Sequence, residues 1–289
     1  MRTFTHRAAT VTLAAVTLAV AAAPALAEID LPRVSQKASI AQTVGTTKIE
    51  IVYCRPGVKG RAIWGGLVPY NEVWRTGANE ATTISFSDPV TIEDTTLPAG
   101  TYSLATIPTT GDWTVIFNKE KDLWGMYEYK QEQDALRIKV KQQPAALTEW
   151  MMFSFPNVTP DSTDVALTWE KVRVGFTVKV DSNGITLAKA RSAVSGAAAD
   201  DFQTPYRAAN YCLQNDLNTD EAARWLEKSI GIKPTFGNLG AKARYLAKKG
   251  DLKGAIETAA KAIEVGKAAD PKTDTAALEK LIAEWKAKK

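Results

Sequence analysis

The segment VRVGFTVKV, residues 172–180, alternates apolar and polar side chains along most of its length. Its apolar positions are Val172, Val174, Phe176 and Val178. Because successive side chains of a strand point to opposite faces, this spacing predicts a strand with one face on a core and the other in solvent. Such one-sided burial is typical of antiparallel sheets.

Further segments rich in β-branched and aromatic residues flank turn signals upstream of this strand. They are KIEIVYC (48–54), ATTISF (81–86), PVTIED (89–94), TYSLATIP (101–108), WTVIFN (113–118), ALRIKVK (135–141), EWMMFSF (149–155) and DVALTWE (164–170). The turn TTGD between the fourth and fifth predicts a hairpin. Strands without intervening helices predict a mainly β N-terminal domain over residues 35–180, an antiparallel sandwich or jelly roll.

Two stretches do not fit the strand pattern. Residues 55–80 are rich in Gly and aromatic residues, and residues 119–135 are charged and aromatic. We expect ordered loops or a short helix in both. Long ordered loops on a β scaffold commonly carry binding sites.

After Asp181 the composition shifts to Ala, Lys, Glu and Leu, which predicts an all-α C-terminal part. We expect a linker at 181–200 and tetratricopeptide-like helical repeats at 201–289. A shift of about 33 residues superposes Ala222 on Ala255, close to the tetratricopeptide period. Pro234 stands where such a unit closes.

Residues 1–27 have the pattern of a signal peptide. Two arginines precede a long apolar run, and Ala25, Leu26 and Ala27 form a small-x-small cleavage site. The run is shorter than a membrane-spanning helix needs, and no later segment is apolar enough to span. We therefore expect cleavage after Ala27, a periplasmic or secreted protein, and no transmembrane segment after cleavage.

Composition excludes several functions of the remaining chain. Without residues 1–27, 34 Lys and Arg face 32 Asp and Glu, so nothing favours nucleic acid as a partner. The chain has a single histidine, His6, which lies in the predicted signal peptide. Catalysis by Ser-His-Asp or Cys-His groups and imidazole-based zinc sites are therefore not expected. No phosphate-binding glycine loop is present, and we predict no cofactor and no metal site.

The densest group of binding residues lies between residues 55 and 83. Arginines can form paired hydrogen bonds with a carboxylate, sulfate or phosphate, and aromatic faces can stack on a ring. The candidate ligand-binding residues are Arg55, Lys59, Arg61, Trp74, Arg75, Asn79 and Glu80. The alternative is structural: the aromatic residues fill the sandwich core, and the arginines pair with Glu72 and Glu80.

Two further features leave alternatives open. The aromatic residues Trp113, Trp124, Tyr127 and Tyr129 could face sugars, although core packing is the simpler interpretation. Cys54 and Cys212 are the two cysteines; an oxidising compartment would permit a disulfide between them, and the alternative is a pair of buried thiols.

Four blocks of the sequence resemble the secreted bacterial family called domain of unknown function twenty-nine-eleven. They are YCRPGVKGRAIWGGLVPYNEVWRTGANEATTISF, AGTYSLATIP, WTVIFNKE and WGMYEY. The resemblance covers roughly residues 35–180 and implies a signal peptide and a β-rich domain, sometimes followed by tetratricopeptide-like helices. It implies no activity. Its strongest block falls on Arg55, Pro56, Gly60, Arg61 and residues 74–80. Cys54 departs from the family, in which Ser is commoner.

The first functional hypothesis is therefore a non-catalytic binding protein for a small polar or anionic ligand or an envelope component, with a helical tail that binds a protein partner. A second is a hydrolase of envelope carbohydrate that uses Glu72 and Glu80 as paired carboxylates. A third is a structural scaffold component.

Overall fold

A computed structural model describes residues 31–288, which form two antiparallel sheets followed by six helices. The ten strands are β1 (Gln36–Val44), β2 (Thr47–Arg55), β3 (Thr83–Phe86), β4 (Val90–Ile92), β5 (Thr95–Leu97), β6 (Gly100–Ile107), β7 (Trp113–Asn118), β8 (Asp134–Val140), β9 (Gln143–Ser154) and β10 (Ser162–Lys179). The helices are α1 (Ser182–Gly196), α2 (Gln203–Gln214), α3 (Thr219–Ile232), α4 (Phe236–Lys248), α5 (Leu252–Ala269) and α6 (Ala276–Ala287). The predicted β domain with a helical tail is confirmed.

One sheet has six strands in the order β1-β2-β3-β6-β7-β8, and the other has four in the order β5-β4-β10-β9. The predicted hairpin across TTGD joins β6 to β7. Strand β10 contains DVALTWE and all but the last residue of VRVGFTVKV, which the sequence had predicted as two strands. A register shift next to Glu170, whose φ is 53°, marks the irregularity between them.

A single hydrophobic cluster contains side chains from both sheets, so the β domain is a sandwich. Ile49, Ile51 and Tyr53, which alternate along β2, are all buried. Val174, Phe176 and Val178 of the alternating segment are buried as well, and Val172 is half-buried.

The segment predicted as a linker, residues 181–200, is instead mostly helix α1. Asp181 starts this helix by accepting a hydrogen bond from Gly184 N at 2.9 Å. Further along α1, Val194 packs in a cluster with side chains of α2 and α3. Lys189 of α1 lies 2.8 Å from Asp88 of the β domain. The helix therefore connects the two parts by contacts as well as by the chain.

Burial alone would raise the pKa of Asp88, but hydrogen bonds from Lys189, Ser87 and Thr47 outweigh burial and lower it. The folded protein therefore stabilises the carboxylate form at this junction.

The tail repeats at the offset that the sequence comparison predicts. Helix α2 begins at Gln203 and α4 at Phe236, and the same shift relates the start of α3 at Thr219 to the start of α5 at Leu252. Ala222 and Ala255, superposed by that comparison, are both fully buried. In α6, Leu278 and Trp285 are buried.

The predicted signal peptide at residues 1–27 lies outside the described residues. Within residues 31–288, no helix has both the length and the apolar character required to cross a bilayer.

Candidate functional site

Two irregular segments form the site. Residues 56–82 connect β2 to β3, and residues 119–133 connect β7 to β8 and end in a 3-10 helix at Gln131–Gln133. Backbone hydrogen bonds hold the segments together: Ala81 N donates to Leu123 O at 2.9 Å, and Gly125 N donates to Asn79 O at 3.2 Å. These are the two stretches that the sequence predicted to be loops.

A cleft of about 480 Å³, called the loop cleft below, is lined mainly by these two segments. Its volume lies within the usual range for small-molecule sites, roughly 300–1,000 Å³. Three of its lining residues carry a positive charge, and one carries a negative charge. The charged lining residues are Lys59, Arg61, Arg75 and Glu72; the larger uncharged ones include Leu67, Trp74, Met126, Tyr127 and Trp169.

Beneath the loop cleft, four tryptophans form one aromatic cluster. The ring of Trp64 lies 4.8 Å from Trp113, 5.8 Å from Trp74 and 5.6 Å from Trp169, in edge-to-face arrangements. Trp74 and Trp169 are stacked at 5.9 Å. Since Trp169 belongs to β10 and Trp113 to β7, the cluster ties the loop that carries Trp74 to both sheets.

The residue that follows Arg75 has an unusual backbone. Thr76 adopts φ 53°, a left-handed conformation that is costly for a β-branched residue. Its carbonyl accepts a hydrogen bond from Thr82 Oγ1 at 2.7 Å, and its hydroxyl lies 3.1 Å from that of Thr106. This buried network stabilises a turn that the backbone would not otherwise favour, and the turn fixes the place of Arg75.

The Nε of Arg75 is buried and has no hydrogen-bond acceptor among the described residues. A buried donor without a partner costs roughly 1–3 kcal/mol, and more when the group is charged. Arg75 lines the loop cleft and forms no ion pair with any described residue, although Glu72 lines the same cleft.

The other two cations of the loop cleft are held by backbone and aromatic groups. Arg61 donates from Nη2 to Gly57 O at 2.6 Å and from Nε to Val58 O at 3.1 Å. Lys59 Nζ lies 5.9 Å from the ring centroid of Trp150. Neither forms an ion pair within residues 31–288, so Arg61 does not pair there with Glu72 or Glu80, as the structural alternative required.

Four of the seven predicted ligand-binding residues thus line one cleft: Lys59, Arg61, Trp74 and Arg75. The other three lie elsewhere. Arg55 Nε donates to Met151 O at 2.9 Å, and Asn79 Nδ2 donates to Ser35 O at 3.1 Å. Both connect backbone segments. Glu80 lines a second cleft.

The second cleft, of about 360 Å³, contains Cys54, whose Sγ lies 3.4 Å from Glu80 Oε2. Cys212 lies in α2 within the cluster formed with α3, and burial together with Glu221 raises the pKa of its thiol. The structure thus contains two buried thiols in different elements and no bridge between them.

Glu72 and Glu80, the carboxylates of the hydrolase hypothesis, line different clefts. Within the part of the chain that the structure describes, no three His, Cys, Asp or Glu side chains gather as a metal site would require.

Sequence reasoning missed Leu67, Met126 and Trp169 as lining residues, and it named Tyr127 only as one of four aromatic residues that could face sugars. The expectation that the aromatic run packs in the core is right for Trp113, which is 1% exposed, and wrong for Tyr127, which is 88% exposed. The charged residues around Tyr127 were the available signal, because a core aromatic seldom lies among them.

Residues 35–178 match the model of a family described as Protein of unknown function (DUF2911). No curated protein matches the chain. No solved structure matches it either.

Proposed function

We propose that this chain, whose residues 35–178 belong to a family of unknown function, is a non-catalytic binding protein for a small anionic ligand. The loop cleft would hold the ligand, either free or as a group on an envelope component. The observation that carries the proposal is the set of three cations lining the cleft, of which Arg75 has a buried Nε without an acceptor among the described residues.

The chemistry of these groups favours an oxyanion. Guanidinium and ammonium groups only donate hydrogen bonds, so a carboxylate, sulfate or phosphate would supply acceptors for the cations that line the cleft. The strained backbone at Thr76 supports the same proposal, because strain of this kind persists where a side chain must be held in place.

The helical tail is proposed to bind a protein partner through tetratricopeptide-like repeats. The regular offset between its helices supports this assignment. A groove of about 140 Å³ between α2 and α4 exposes polar and basic side chains, including Asn210, Arg244 and Lys248. If it is the docking surface, Arg244→Glu will release a stoichiometric partner that the unchanged protein captures from envelope extracts, whereas retention of that partner would contradict this role.

We further propose that the protein acts in the periplasm or outside the cell after cleavage behind Ala27. Cell fractionation and N-terminal sequencing test this location. A mature chain that begins at Glu28 in the periplasm or medium is expected, and an uncleaved chain confined to the cytoplasm would exclude it.

Calorimetric titration tests the ligand-binding role. Acetate, methanesulfonate and methylphosphonate are titrated into purified protein at constant ionic strength. We expect at least one to bind saturably and Arg75→Gln to weaken that binding about tenfold or more, because a charge-assisted hydrogen bond contributes about 1.5–3 kcal/mol. Arg173→Gln, which removes a cation outside the loop cleft, is the matched control.

The binding role is wrong if none of the anions binds, or if Arg75→Gln and Arg173→Gln bind equally well. Circular dichroism of each variant separates a lost site from a lost fold.

A further inference from the structure

The loop cleft is larger than a bare oxyanion requires. Its volume of about 480 Å³ lies in the range of sites that enclose drug-sized molecules, roughly 300–1,000 Å³. An inorganic sulfate or phosphate is much smaller than such a molecule and would fill only part of the cleft. Most of the cleft is therefore available to the body of the ligand that carries the anionic group.

The lining is divided in its chemistry. All three cations belong to residues 59–75, whereas the loop from β7 to β8 contributes Met126 and Tyr127, which are uncharged. Residues 59–75 also contribute the carboxylate of Glu72 and the apolar side chain of Leu67. A ligand that spans the cleft therefore meets cations on one segment and a thioether and a phenol ring on the other.

Tyr127 is held in an exposed position. Its ring packs against Gly125, where φ is 67° and an added Cβ would lie only 2.9 Å from the Tyr127 ring. Tyr127 is 88% exposed and Leu67 is 47% exposed. Covering such apolar surface is favourable by roughly 25 cal/mol for each Å², and an aromatic face offers a ring a stacking surface.

From this division we infer that the ligand is amphiphilic: one oxyanion on an apolar body about the size of one or two rings. The inference rests on the proposed anion-binding function and adds the ligand class. The oxyanion contacts Arg75 and its neighbouring cations, and the ring packs against Tyr127, Met126 and Leu67.

Three probes separate the contributions of charge and ring. Naphthalenesulfonate carries both, naphthalenesulfonamide has the same ring without the charge, and methanesulfonate has the charge without the ring. We expect calorimetric titration to show naphthalenesulfonate binding at least tenfold more tightly than either of the others.

Substitutions show which residues cause the preference for the charge and which cause the preference for the ring. Arg75→Gln is expected to reduce the preference for sulfonate over sulfonamide to less than threefold while the sulfonamide affinity stays unchanged. Tyr127→Ala and Leu67→Ala are expected to reduce the preference for the naphthalene ring over the methyl group. Arg173→Gln and Leu147→Ala, at positions outside the loop cleft, are the matched controls and should bind as the unchanged protein does.

The outcomes separate this inference from the proposed function. If methanesulfonate binds as tightly as naphthalenesulfonate, the ligand class is wrong and the anion-binding function stands. If the sulfonamide binds as tightly as the sulfonate, both fail. If none of the three probes binds, the ligand class is overturned, and acetate and methylphosphonate then decide the proposed function.

Discussion

The β sandwich and the helical tail bury different kinds of side chain. The largest buried residues of the sandwich include Trp113, Trp169 and Phe117, whereas the cluster around α5 consists largely of alanines such as Ala255 and Ala259. Large rings fill the space between two sheets and extend into the loops. Alanines instead let helix backbones approach closely, as in stacked repeats.

The contrast explains where the candidate site lies. A tryptophan cluster that reaches from both sheets into the loop of residues 56–82 gives that loop a rigid base, so a strained turn at Thr76 can persist. The alanine-packed tail has no comparable support for irregular backbone. The tail instead presents a surface of regularly spaced helices.

The largest effect is expected from Trp169→Ala, which removes the ring that stacks on Trp74. Truncation of a buried tryptophan costs about 3–5 kcal/mol. Chemical denaturation followed by circular dichroism should show this loss, together with loss of anion binding. Trp124→Ala, at a ring that is 61% exposed, should destabilise the protein far less. Equal losses would contradict the importance of the aromatic cluster.

In the tail, Ala255→Leu should be destabilising because no space is left at a fully buried alanine. Overpacking of this kind costs about 1–3 kcal/mol. Ala260→Leu, on the exposed side of the same helix, is the matched control. Thermal unfolding measures both. Anion binding at the loop cleft should survive in either variant at temperatures where it is folded, and its loss would show that the two regions are not independent.

Thr82→Val removes the hydroxyl that donates to Thr76 O at 2.7 Å. We expect a stability loss of about 1–2 kcal/mol from the unsatisfied buried carbonyl, and weaker anion binding because the turn before Gly77 no longer fixes Arg75. Thr43→Val, at an exposed position of β1, is the control for both the stability and the binding measurement. Unchanged anion binding in Thr82→Val would show that this hydrogen-bond network does not position Arg75.

The junction between the two regions should respond to acid. Because the pKa of Asp88 is lowered in the folded protein, its ion pair with Lys189 stabilises the fold above the ordinary aspartate pKa of 3.8. That stability is lost as the pH falls below this value towards the folded pKa. Since Lys189 is half exposed, Asp88→Asn should cost only about 1 kcal/mol at neutral pH.

Denaturation at neutral pH and at successively lower values measures this dependence. Asp88→Asn should lose less stability on acidification than the unchanged protein, and Asp164→Asn serves as the comparison on another β-domain carboxylate. Parallel pH curves for Asp88→Asn and the unchanged protein would contradict the contribution of Asp88.

Much of the fold follows from the sequence because its patterns are local. Alternation in VRVGFTVKV identified a buried strand face, and the repeat period of the tail identified the helix offset. The continuity of β10 through Glu170 did not follow, because a bulge depends on the partner strand. Helix α1 was predicted as a linker, since its packing against α2 and α3 is a tertiary contact.

Part of the candidate site could be predicted from the sequence. The density of cations and rings near Arg75 indicated the loop from β2 to β3, but spacing along a chain does not say which side chains face one cleft. Arg55 and Asn79 hold backbone segments in place, and Glu80 faces Cys54. The sequence could not place Tyr127 in the loop cleft, because its loop pairs with the β2–β3 loop, and these segments are far apart in the sequence.

Arg75→Gln should cost the least stability of these substitutions and still weaken binding strongly. The unfolding free energy should not fall by more than about 0.5 kcal/mol, because no hydrogen bond or ion pair between the described residues depends on this guanidinium and the substitution removes a buried Nε–H that has no acceptor. Measured by calorimetry on the same samples, naphthalenesulfonate affinity should fall at least tenfold. A variant that binds naphthalenesulfonate as tightly as the unchanged protein, at equal stability, would contradict the assignment of the loop cleft as an anion site.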